Sequence, residues 1–75
     1  MRKTWREMQD VATALGGELD NGINWTWATF PTEATATEFD LECRNQGYET
    51  RGVYSPPCTK ESTKGKAARW GVRYR

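Results

Sequence analysis

The C-terminal stretch ARWGVRYR (68–75) alternates apolar and basic residues, and no other feature of the chain constrains its fold as strongly. Successive side chains of a β-strand point to opposite faces of the sheet, so a period of two marks a strand with one buried face. The open face of such a strand meets solvent or a partner. The apolar set is Ala68, Trp70, Val72 and Tyr74, and the alternating set is Arg69, Gly71, Arg73 and Arg75.

Two segments nearer the N-terminus carry the start and stop signals of helices. In TWREMQDVATALGG, Thr4 and Glu7 have the spacing of a capping box, and Gly16 is a typical helix stop. In TEATATEFDLECRNQG, Thr32 is the predicted N-cap and Gly47 the stop. Apolar residues at helical spacing predict one buried stripe on each helix: Trp5, Met8, Ala12 and Leu15 on the first, and Ala36, Phe39 and Cys43 on the second.

Two further strands are predicted between and after these helices. Asn21-Gly22 favours a tight turn, and the β-branched and aromatic alternation of residues 23–30 predicts a strand after it. Residues 48–55, YETRGVYS, predict a strand in which neither parity is cleanly apolar. A β-bulge at Gly52 would switch the faces midway.

The resulting order of helix, strand, helix, strand, strand predicts a small α+β domain. A strand–helix–strand crossover makes the first two strands parallel. Because the last strand has the best core face, we expect it to insert antiparallel between them, in a split β-α-β arrangement. The predicted α-β-α-β-β domain therefore has a three-stranded mixed sheet with both helices on one face.

The segment FPTEATATEFDLECRNQGYET resembles the corresponding part of many small ferredoxin-like modules. The resemblance covers about a third of the chain and implies a fold, half of a ferredoxin-like domain, but no function. We expect one domain over residues 1–75, a whole gene product, with a flexible basic loop at 55–67 between the last two strands.

Composition narrows the setting and the chemistry. The sequence has no apolar run near the ~20 residues of a membrane span. The charged start, MRKTWREMQD, lacks the apolar region of a signal peptide. A cytoplasmic protein without membrane contact is therefore expected, with Cys43 and Cys58 as free thiols. Cys43 is predicted to be a core residue of the second helix.

Catalysis is not expected from this residue set. The chain has no His, the commonest general base. Two Cys without His cannot supply the four ligands of a standard zinc site. We predict that the protein is not an enzyme and uses no cofactor or metal.

Charge is unevenly distributed although the net charge is only +1. Residues 60–75 hold six basic residues against one acidic residue, whereas residues 1–59 hold five basic and nine acidic residues. The arginines of the last strand line its open face, where they can bind phosphates or carboxylates. Aromatic rings beside them would produce the combination that base-stacking sheets use. The candidate rings are Tyr48, Tyr54 and Phe30. The simpler alternative is that these arginines only keep an exposed strand soluble.

The second helix offers a separate acidic surface. Glu38 and Glu42 are four residues apart and therefore share a helix face. Together with Glu33 and Asp40 they form either a solvated acidic face or a docking site for a basic partner.

These features favour a small non-enzymatic regulator or inhibitor that binds a protein partner. Small accessory proteins, including those that phages make to block host defence enzymes, often have such a composition. The alternative is a nucleic-acid-binding protein that uses the basic C-terminal loop and strand, although a pI of about 7.8 is low for that class. Homodimerisation through a strand edge is a third alternative. The predicted partner-binding residues are Lys64, Lys66, Arg69, Arg73, Arg75, Glu38 and Glu42.

Overall fold

The computed structural model describes residues 3–55 and 70–75, which form two helices and one four-stranded antiparallel sheet. The α+β class with two helices is thereby confirmed. The elements are α1 (Trp5–Ala14), β1 (Glu18–Asn21), β2 (Thr26–Phe30), α2 (Glu33–Asn45), β3 (Thr50–Tyr54) and β4 (Trp70–Tyr74). The strand order is β1-β2-β4-β3, and each neighbouring pair is antiparallel.

The predicted three-stranded mixed sheet is wrong in its number of strands, since there are four, and in being mixed, since every neighbouring pair is antiparallel. The missed strand, β1, has the sequence ELDN with a single apolar residue, Leu19, so its periodicity carries no strand signal. It becomes a strand because it pairs with β2 across a hairpin, in a register that runs from Glu18 opposite Thr29 to Asn21 opposite Thr26.

The predicted insertion of the last strand is confirmed. β4 lies between β2 and β3 and is antiparallel to both. The strands that flank α2 therefore run in the same direction without contacting each other, as a crossover through a helix requires.

The predicted helix ends are confirmed. The Thr4 hydroxyl accepts from the backbone N–H of Glu7 at 3.3 Å, and the Glu7 carboxylate accepts from the backbone N–H of Thr4 at 2.9 Å. The Thr32 hydroxyl accepts from the backbone N–H of Thr35 at 3.2 Å and so caps α2. Gly16 and Gly47 follow the helices with φ of 80° and 86°, the left-handed conformation of a helix stop.

The core lies between the two helices and one face of the sheet, which confirms the predicted placement of both helices. Phe39 of α2 is central, since its ring centroid lies 5.1 Å from that of Phe30 and 5.7 Å from that of Tyr74. Trp5 differs from its prediction: it is 38% exposed at the start of α1. The buried residues are Met8, Ala12, Ala28, Phe30, Ala36, Phe39, Cys43, Val72 and Tyr74.

A β-bulge in β3 sets which side chains reach each face of the sheet. Thr50 pairs with Tyr74 but Val53 pairs with Val72, so β3 carries one more residue than β4 over this interval. Gly52 lies inside the bulge with φ of 85°, a conformation that glycine adopts without a steric penalty. The predicted bulge is confirmed, and Val53 packs against the core as a result.

Several predictions fall on residues that the structure does not describe. Apart from Ser55, the predicted loop at 55–67 lies outside the described residues, as does Arg69. Cys58, Lys64 and Lys66 of this loop are therefore also outside the described residues. The assignment of residues 1–75 to one domain stays a prediction. Neither helix in the described ranges is long and apolar enough to cross a membrane.

Candidate binding surface

The side of the sheet opposite the helices carries a cluster of aromatic and arginine side chains, which we name the open face. Trp27 pairs with Arg73 across β2 and β4, and their neighbours in the register, Ala28 and Val72, are buried in the core. Because side chains alternate along a strand, Trp27 and Arg73 project away from the helices. The open face comprises Trp25, Trp27, Arg51, Tyr54, Arg73 and Arg75.

Arg73 lies at the centre of the open face. Its guanidinium carbon is 4.8 Å from the ring centroid of Trp25, 5.5 Å from that of Trp27 and 5.4 Å from that of Tyr54. The rings of Trp27 and Tyr54 also contact each other, with centroids 5.9 Å apart. The Nε of Arg73 is buried and has no hydrogen-bond partner among residues 3–55 and 70–75. Cation–π attraction from three rings therefore holds this side chain in place.

Two further arginines contact the ring of Trp25 at the edge of the cluster. The guanidinium carbon of Arg75 is 4.3 Å from its centroid, and that of Arg51 is 5.6 Å away. Glu49 offsets part of this charge: its carboxylate lies 3.1 Å from Nε of Arg75 and 3.9 Å from the guanidinium of Arg51. Three arginines against one glutamate leave the cluster positively charged. Since the side chains of Arg51 and Arg75 are about half exposed, their planar N–H donors can reach a carboxylate or a phosphate.

A shallow hollow adjoins the open face at the tip of the β1–β2 hairpin. The turn is closed by the backbone N–H of Gly22, which donates to the carbonyl of Trp25 at 2.8 Å. Ile23 at the tip is fully exposed. The hollow has a volume of about 620 Å³, and Trp25 and Trp27 belong both to it and to the open face. Its lining residues are Asn21, Gly22, Ile23, Asn24, Trp25 and Trp27.

The structure separates the predicted partner-binding residues into two groups. Arg73 and Arg75 lie together on the open face. Glu38 and Glu42 lie on α2, where both line a groove that also contains Leu41. Glu42 is already engaged, because its carboxylate accepts from Nζ of Lys3 at 2.7 Å, and this hydrogen bond lowers the pKa of Glu42. A role for Glu38 and Glu42 in partner binding stays a prediction.

Asp40 differs from its prediction as part of a solvated acidic face. It is 8% exposed, and one of its carboxylate oxygens accepts from Nε of Arg44 at 3.0 Å. A basic residue four positions further along the helix is the signal that favours this pairing.

Of the three rings expected near the arginines, only Tyr54 lies there. Phe30 is fully buried beneath the helices. The ring of Tyr48 packs on Tyr74, with centroids 4.9 Å apart, and its hydroxyl donates to the carbonyl of Lys3. The bulge at Gly52 explains why Tyr54 lies on the open face. The extra residue in β3 reverses the faces of the residues that follow it, so Val53 turns to the core and Tyr54 to the open face.

Trp25, Trp27 and Arg51 were not among the predicted binding residues. Residues 23–30 include apolar or aromatic residues on both parities, so the sequence does not say which parity is buried. Only Trp27 pairs directly with a basic residue of β4, Arg73, and residues paired across an antiparallel sheet share a face. The register that pairs them is not contained in either strand's sequence.

Cys43 is buried in the core as predicted, and burial together with the carboxylate of Asp40 raises the pKa of its thiol to about 12. The reactive thiolate is therefore scarce at mildly alkaline pH. We expect iodoacetamide to leave Cys43 unmodified in the folded protein and to modify it rapidly in guanidinium chloride. Peptide mapping by mass spectrometry separates Cys43 from Cys58. Equal rates of Cys43 modification in the two conditions would contradict the expectation.

Within residues 3–55 and 70–75, no three His, Cys, Asp or Glu residues are grouped as a metal site would require. Comparison with protein families, with characterised proteins and with solved structures found no significant match to this chain. The likeness to ferredoxin-like modules therefore stays a prediction, and the function has to be inferred from the surface itself.

Proposed function

We propose that this chain is a small non-enzymatic regulator or inhibitor that binds a protein partner through the open face. The observation that carries the proposal is Arg73 held among the rings of Trp25, Trp27 and Tyr54, on a sheet face that neither described helix covers. Trp, Tyr and Arg are the residues that most often dominate the binding energy of protein interfaces. Prior fixation of the side chains also reduces the entropy that binding would cost.

A single-stranded nucleic acid is the second candidate, because rings and arginines on an open sheet are the combination used for base stacking. Two observations favour a protein instead. The face of Trp25 is already occupied by the guanidinium of Arg75 at 4.3 Å, so a base would have to displace it. Glu49 also sits beside the arginines and would repel the successive phosphates of a nucleic acid more strongly than a single carboxylate.

The proposed action is occlusion of a partner's surface. A chain with no His and a preformed binding face is suited to covering a site on another protein, as accessory and inhibitor proteins of the phage type do. Arg73 and Arg75 form the centre of this surface. Glu38 and Glu42, on the opposite side of the sheet, would make a separate contact.

The test compares a variant of the open face with a matched variant of α1. Arg75→Ala removes a half-exposed arginine from the open face, and Arg6→Ala removes an exposed arginine from the other side of the molecule. Each protein is used to capture partners from a nuclease-treated extract of the cells that make it. The retained protein is then identified, purified and titrated against each variant.

We expect the unmodified chain and Arg6→Ala to bind the purified partner equally, and Arg75→Ala to bind it about tenfold more weakly or worse. Equal affinity of all three chains would overturn the proposal. So would retention of further copies of this chain alone.

A further inference from the structure

We infer that the open face and the adjoining hollow together take a peptide segment of the partner in which an acidic residue stands next to an apolar one. This inference rests on the proposed function and specifies the chemistry of its ligand. Two neighbouring features carry it: the arginines that contact Trp25, and the hollow that Trp25 lines together with the exposed Ile23.

The acidic residue is required by the charge of the cluster. Among the described residues, the Glu49 carboxylate pairs with Arg51 and Arg75, and its distance of 3.9 Å to Arg51 is too long for a hydrogen bond. The guanidinium of Arg51 is therefore available to a second carboxylate. Arginine binds carboxylates with paired N–H groups, a geometry that lysine lacks.

The apolar residue is required by the hollow at the hairpin tip. Ile23 is fully exposed beside Trp25 and Trp27, and an exposed group of large apolar side chains is typical of an interaction site. Asn21 and Asn24 line the same hollow, and their side-chain amides can donate to and accept from a peptide backbone. Since Trp25 borders both features, the acidic and apolar residues of the ligand must be close in its sequence, at about 3.3 Å per residue of extended chain.

The acidic residues of β1 argue against a uniformly charged polymer such as a nucleic acid. Leu19 packs against the core, so Glu18 and Asp20 project from the other face, and Asp20 lies opposite Trp27 in the register. The same side of the sheet thus changes from basic at β3 and β4 to acidic at β1. A ligand with its negative charge confined to one end fits this gradient, whereas a strand of evenly spaced phosphates does not.

The test measures fluorescence anisotropy of labelled peptides with the full chain. One peptide carries two Glu and two Leu in adjacent pairs within a Gly-Ser background. The second has Gln for Glu, the third has Ala for Leu, and a single-stranded oligodeoxythymidine is the nucleic-acid probe. The protein variants are Arg51→Ala and Ile23→Ala, both at exposed positions, with Arg6→Ala as the control.

We expect the Glu-Leu peptide to bind saturably and the Gln and Ala peptides to bind about tenfold more weakly each. Arg51→Ala should remove the preference for Glu over Gln, and Ile23→Ala should reduce the preference for Leu over Ala. Arg6→Ala should change neither preference.

Equal binding of the Glu and Gln peptides, or tighter binding of the oligonucleotide than of any peptide, would overturn the inference. If Arg75→Ala weakens binding of a captured partner but the chain binds the Glu and Gln peptides equally, the inference fails and the proposed function stands. If the captured partner is also insensitive to Arg75→Ala, both fail.

Discussion

Replacing Phe39 by Ala is expected to lower the free energy of unfolding by about 3–5 kcal/mol. Phe39 is fully buried, and its ring contacts those of Phe30 and Tyr74, so truncation leaves a cavity between α2 and two strands. A domain of 75 residues has a total stability of roughly 4–11 kcal/mol. The substitution therefore removes a large part of it, and a partly unfolded population at room temperature is expected.

Urea denaturation followed by circular dichroism measures the effect. Leu41→Ala is the matched control, because Leu41 lies on the same helix and is 54% exposed. Its loss of stability should stay within about 0.5 kcal/mol, as for most surface substitutions. A similar loss for Phe39→Ala and Leu41→Ala would show that α2 does not pack on the sheet in the way described.

Replacing Gly17 by Ala is expected to cost about 1–3 kcal/mol, the usual cost of overpacking. A Cβ at this position would overlap the ring of Phe30 and would lie 2.6 Å from the carbonyl oxygen of Thr29. Phe30 is fully buried and Thr29 contributes backbone, so neither can move away easily.

Gly47 provides the control, because glycine is favoured there by the backbone conformation and not by a lack of space for a side chain. A Cβ at Gly47 meets no atom within 4 Å, but its φ is +86°. Gly47→Asn should therefore be tolerated at a cost of less than about 1 kcal/mol, since Asn adopts the left-handed conformation readily. Thermal denaturation of both variants checks the ordering. A milder effect of Gly17→Ala than of Gly47→Asn would contradict the close approach of Gly17 to β2.

Local signals predicted the helices and the bulge well. The caps at Thr4 and Thr32 depend on hydrogen bonds within three residues of chain, and Gly52 favours the bulge locally because it adopts a positive φ. All three features are present. The buried parity of β4 was also readable, because Val72 and Tyr74 alternate with residues of opposite character. Such features depend on residue type and spacing alone, which a sequence contains in full.

Long-range pairing was harder to predict. β1 is a strand only because β2 supplies its hydrogen-bond partners, and nothing within ELDN indicates this. The same limit applied to the open face: the sequence predicted that Arg73 and Arg75 face away from the core, but not which rings lie beside them. Trp25 and Trp27 became part of that surface through the register of β2 against β4.

The sequence by itself determined the two helices, their ends, the bulge and the half-buried last strand, because each follows from local propensity and periodicity. Only the tertiary structure decided that the sheet has four strands and that Arg73 lies among Trp25, Trp27 and Tyr54. Residues about fifty positions apart meet through strand register, and register is fixed by the packing of the whole sheet against the helices.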